Sequence, residues 1–94
     1  MDLPVQIVRF VQEQQPPLVE AKFCDSTGYS HTFIDKSALF TADWGLDATT
    51  NYPLPGFIRC EVLGRSRGPK GQELVRVRTE IESTEGLSEF VVLA

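Results

Sequence analysis

No stretch of this 94-residue sequence is apolar for long enough to cross a bilayer as a helix. Its opening, "MDLPVQIVRFVQ", also lacks the basic lead and continuous apolar core of a secretion signal. The expected location is the cytoplasm, with no membrane partner. Cysteine is scarce: Cys24 and Cys60 stand in separate strand-like segments, without the CxxC spacing of a metal or redox site. In a reducing compartment both are expected to be small buried hydrophobes rather than a disulfide. A lone histidine, His31, makes no ligand cluster with two separated thiols, so no metal or cofactor is expected. The phosphate-loop pattern GxxxxGK[ST] is missing, and "GRSRGPKG" joins two strand-like runs rather than a strand and a helix. Between residues 58 and 89 there is no Phe, Tyr or Trp, which removes the stacking platforms that binders of single-stranded nucleic acid use.

What is present reads as an ordinary globular protein. With 41% hydrophobic and 23% charged residues, the chain has enough apolar material for one core, and folding at this size buries roughly 64% of the unfolded surface. Strand signals dominate. Val5, Ile7, Val8, Phe10 and Val11 form a β-branched run that stops before Pro16 and Pro17. Val19, Ala21 and Phe23 alternate with Glu20 and Lys22, the period of a half-buried strand. "DSTG" then turns the chain into "YSHTFID". A two-residue loop there would set Cys24 opposite His31 and invite thiol chemistry. A three-residue loop with Gly28 left-handed instead sets Phe23 opposite His31 and Ala21 opposite Phe33. The second register gathers Phe33 with Val19, Ala21 and Phe23, and is the one expected. It makes His31 a surface or half-buried sheet residue.

"DKSALFTADWGLD" is the one helical candidate, with Asp35 or Ser37 as cap and Gly45 as stop. In "YPLPG", residues 52–56, two prolines favour a rigid extended lead-in, and Gly56 is expected to permit a sharp redirection into the next strand. From Phe57 onward, Ile58, Cys60 and Val62 alternate with Arg59 and Glu61; Val75, Val77, Thr79 and Ile81 then alternate with charged residues. "STEG" turns into a last strand, "LSEFVVL". The expected architecture is a single mainly β domain over residues 1–94: a small antiparallel six-stranded barrel or sandwich with one short helical segment near residues 36–44. The segments "FIDKSALFT", "YPLPGFIRCEVL" and "IESTEGLSEFVV" together resemble short uncharacterised bacterial proteins of about this length, over most of residues 18–93. That resemblance implies a bacterial, cytoplasmic origin and carries no catalytic residue with it.

Charge is unevenly spread. Residues 1–56 carry three Lys/Arg against seven Asp/Glu, a net −4; residues 57–79 carry six against two, a net +4; residues 80–94 carry none against four. Arg59, Arg65, Arg67, Lys70, Arg76 and Arg78 could line one face of a basic hairpin, the footprint of a nucleic-acid binder. An antiparallel register with Arg59 facing Glu80, Glu61 facing Arg78 and Val62 facing Val77 neutralises part of that stripe. It leaves Arg65, Arg67, Lys70 and Arg76 without an evident partner. Trp44, Tyr52 and Leu54 fall in the long connection at residues 41–56, where an exposed cluster would anchor a protein interface, while a buried one would close an end of the barrel. The expected role is a non-catalytic module that binds a protein, with a homodimer through an unpaired strand as a variant and nucleic acid as the alternative. An enzyme or small-molecule binder would need a pocket where a loop carboxylate, His31 or Cys24 meets a second polar group.

Overall fold

The imperfect alternation of "VQIVRFVQ" is resolved by two β-bulges. In the computed structural model, which describes residues 1–12, 17–40 and 51–94, strand β1 (Asp2–Gln12) pairs with β2 (Leu18–Cys24) through Ile7↔Ala21, Arg9↔Glu20 and Phe10↔Val19. The register shifts between Ile7 and Arg9, and again between Phe10 and Gln12. Each shift absorbs one extra residue, so Ile7 and Phe10 reach the same inner face although three positions separate them. Arg9 lies on the outer face, 2.8 Å from Glu20.

The remaining strands are β3 (Ser30–Lys36), β4 (Leu54–Arg67), β5 (Glu73–Thr79) and β6 (Glu89–Leu93), with a 3-10 turn at Ser37–Phe40. They form one antiparallel sheet in the order β3-β2-β1-β4-β5-β6, curled into a half-barrel. The turn is the described part of the expected helical segment, and it sends Phe40 into the core. Strand β1 is central rather than an edge. The core draws on every strand, including Ile7, Val19, Phe33, Ile58, Val77 and Phe90.

Three hairpins share one turn. In "DSTGY", "GPKGQ" and "STEGL" the first residue's N–H donates to the fifth residue's carbonyl, at 2.9 Å for Asp25, 2.8 Å for Gly68 and 2.7 Å for Ser83. The fourth residue is a left-handed glycine each time, with φ of 86° at Gly28, 79° at Gly71 and 80° at Gly86. This geometry fixes the β2–β3 register as Phe23↔His31 and Ala21↔Phe33, as the apolar pattern requires.

Strand β4 begins earlier than "YPLPG" suggests. Leu54, Pro55 and Gly56 already lie in the ladder, opposite Ile7, Gln6 and Val5. Gly56 is not a point of redirection. A Cβ there would meet Ile7 Cδ1 at 2.7 Å and the Phe40 carbonyl at 3.1 Å, so the missing side chain lets β4 approach the core closely. Prolines 4 and 55 are tolerated for a related reason. The Cys60 N–H donates to the Met1 carbonyl at 2.9 Å, and antiparallel alternation from that bond turns the Pro4 and Pro55 nitrogens away from the β1–β4 seam. Pro4 thus faces β2 without a donor, and the β1–β2 ladder ends at Gln6↔Lys22.

Closure is achieved by side chains and turns. Phe90 from β6 reaches across to Phe23 at 5.1 Å between ring centroids, to His31 at 4.7 Å and to Phe33 at 5.8 Å. The Ser26 N–H donates to the Val91 carbonyl and the Thr84 N–H to the Thr32 carbonyl, each at 2.8 Å, so each outer strand takes a hydrogen bond from the turn of the facing hairpin.

Candidate functional site

Strand β4 is long enough to serve two neighbours in succession. Its first half pairs with β1 and its second half, from Cys60 to Arg67, pairs with β5. The β4–β5 register is Cys60↔Thr79, Glu61↔Arg78 and Val62↔Val77, then shifts to Gly64↔Arg76, Arg65↔Val75 and Arg67↔Glu73. Leu63 is the extra residue of a β-bulge. Its sequence signal is the break in alternation at Val62-Leu63 followed by Gly64.

The bulge redistributes the cations. Directly opposed residues share a face, so Arg76 and Arg78 lie on the outer face with Glu61, as does Arg59, an exposed residue between buried Ile58 and Cys60. Arg65 and Arg67, opposed to Val75 and Glu73, lie on the inner face near the hairpin tip. Lys70 sits in the tip. The six basic residues therefore do not form one stripe. The expected charge pairing is also only partly realised: Arg78 approaches Glu89 of β6 at 4.0 Å rather than Glu61, and Glu80 meets Arg59 through a backbone bond of 3.2 Å. Among the described residues, Arg59, Arg65, Arg67, Lys70 and Arg76 have no ion pair.

One side of the second half of β4 is unpaired among the described residues. Cys60 directs its N–H toward β1, and alternation does the same for Val62. Beyond the bulge the Gly68 N–H donates to Gln72, so the even-numbered residues 64 and 66 face β5, while Arg65 and Arg67 direct N–H and C=O outward. No described residue pairs with these outward groups of Val62, Arg65 and Arg67.

A second arrangement lies at the β2–β3 turn. Asp25 Oδ1 accepts from the Thr27 N–H at 2.9 Å, the Thr27 hydroxyl at 2.7 Å and the Tyr29 N–H at 3.1 Å. Its Oδ2 lies 2.7 Å from His31 Nε2. Burial pushes the Asp25 carboxyl up, but the hydrogen bonds from Thr27, His31 and Tyr29 outweigh it and hold the group at about 2. His31 is buried, at 5% exposure, rather than half-buried or on the surface, because its partner Phe23 faces inward. Its Nδ1 is buried without a hydrogen-bond partner. In the neutral ring, the tautomer that donates from Nε2 to Asp25 leaves a lone pair on Nδ1 instead of an orphaned donor. The pairing was legible: Asp25 continues the inward parity of Ala21 and Phe23, which places it diagonally across from His31.

Where Pro4 ends the β1–β2 ladder, an open cleft of about 570 Å³ appears, with Leu3, Val5, Phe23 and Val92 in its lining and Lys22 and Cys24 at hand. Asp25 also lines it, but both carboxylate oxygens are already engaged. Cys24 is exposed, contrary to the expectation of two buried thiols, since Lys22 and Cys24 share the outward parity of β2. Cys60 is buried, which pushes its thiol up, and both cysteines are free.

No protein family, curated protein or solved structure matches this chain. Residue roles therefore rest on its own geometry. Of the three residues expected as protein anchors, Leu54 is a core residue at 6% exposure and Tyr52 packs half-buried against that core. Trp44 lies outside the described residues. No described helix is long and apolar enough to cross a membrane, and no described group of three or more His, Cys, Asp or Glu is placed to hold a metal ion.

Proposed function

We propose that the chain is a protein-binding module that takes an extended segment of a partner by strand addition to the second half of β4. The reading is carried by the outward N–H and C=O groups of Val62, Arg65 and Arg67, which have no partner among the described residues. An added strand satisfies such groups with main-chain hydrogen bonds, while alternate side chains provide specificity. The outer strands β3 and β6 offer less, since each already receives a hydrogen bond from a facing turn. Nucleic-acid binding is the competing reading, supported by the cations without ion pairs. It is disfavoured by their division between two faces and by the absence of aromatics from residues 58–89.

The test is amide hydrogen exchange on complexes recovered from a nuclease-treated bacterial lysate. A bound protein segment should slow exchange at Val62, Arg65 and Arg67. Complexes that vanish on nuclease treatment, or protection confined to other elements, would sink the proposal.

A further inference from the structure

We infer that the partner segment is acidic, with carboxylates at alternate positions placed against Arg65 and Arg67. The inference rests on the strand-addition reading and specifies its partner. Arg65 and Arg67 are two residues apart on one strand, so their side chains leave the same face about 6.8 Å apart. That spacing is the repeat of an extended peptide, so residues at alternate positions of an added strand meet both guanidinium groups at once. Each arginine is exposed and lacks an ion pair among the described residues, and Lys70 at the tip extends the positive field. The nearest carboxylate in the ladder, Glu73 opposite Arg67, makes no ion pair within 4.0 Å.

Charge also argues against a second copy of the chain at this edge. Two β4 edges paired antiparallel about Ser66 would set Arg65 of each copy against Arg67 of the other, a like-charge arrangement. The cations and the bulge at Leu63 therefore guard the edge against self-pairing while leaving it open to a strand of opposite charge. An oligonucleotide would use the charge and its phosphates could accept from outward N–H groups, so the two classes are separated by which ligand binds and not by amide protection alone.

The probes are three fluorescent ligands added to the full chain: a ten-residue peptide alternating glutamate and valine, one alternating threonine and valine, and a thymidine decamer. Binding is read by anisotropy and by amide exchange. The glutamate peptide should bind and slow exchange at Val62, Arg65 and Arg67. Its affinity should fall about tenfold in the double variant Arg65→Gln, Arg67→Gln, and largely recover in Arg65→Lys, Arg67→Lys. Equal binding of the threonine peptide would overturn the acidic specificity and leave strand addition standing. If neither peptide slows the edge amides, both readings fall. Preferential binding of the decamer over both peptides, with or without amide protection, would establish nucleic-acid recognition in their place.

Discussion

The Asp25 carboxylate holds both a turn and a ring. Because its pKa is depressed from 3.8 to about 2, the stability it contributes is fully present above the unfolded value and is lost as pH falls through the folded one. The shift corresponds to at most about 2.5 kcal/mol, and Asp25→Asn should flatten the decline of stability between about pH 4 and pH 2, measured by urea denaturation across that range. At Gly56 the limit is space. Gly56→Ala drives a methyl group against Ile7 and the Phe40 carbonyl and should cost about 1–3 kcal/mol, read from the shift in denaturation midpoint. The two thiols should separate in a native titration: Cys24 reacts with an aromatic disulfide reagent at once, whereas Cys60 reacts only on denaturation. Simultaneous reaction of both would contradict the burial of Cys60 on the inner face of β4.

At the scale of elements, β6 is short but closes the half-barrel. Phe90 is 4% exposed and contacts rings from both β2 and β3, so Phe90→Ala removes the side chain that joins the two ends of the sheet. A loss of about 3–5 kcal/mol is expected, with weakened amide protection in β3 and β6. Much of the secondary structure was legible because each hairpin carries its own instructions. "DSTG", "GPKG" and "STEG" all end in a glycine that takes positive φ, and the alternation on either side fixes the register. Asp25 Oδ1 accepts from the N–H groups two and four residues ahead, and Ser83 Oγ does the same toward Glu85 at 3.3 Å and Leu87 at 3.2 Å. The start of β4 was less legible. Two prolines and a glycine look like a break in a strand until the alternation of hydrogen-bonding positions shows that Pro55 needs no donor toward β1.

For the whole molecule, the uneven charge acquires meaning only through topology. A net +4 over residues 57–79 suggested one basic stripe, but a single bulge at Leu63 turns Arg65 and Arg67 inward while Arg76 and Arg78 stay outside. Sequence order also conceals that β4 extends beyond its pairing with β1, which leaves the outward groups of Val62, Arg65 and Arg67 without a partner among the described residues. Local pattern was enough for the mainly β architecture, the β2–β3 register, the β4–β5 register as far as Val62 and the apolar faces, because period-two alternation and left-handed glycines act over a few residues. Only the assembled fold places Leu54 and Tyr52 with the core and leaves one side of the second half of β4 without a strand partner among the described residues. Those outcomes depend on which strands become neighbours and where their ladders stop, and no local pattern encodes the distance at which a distant strand runs out.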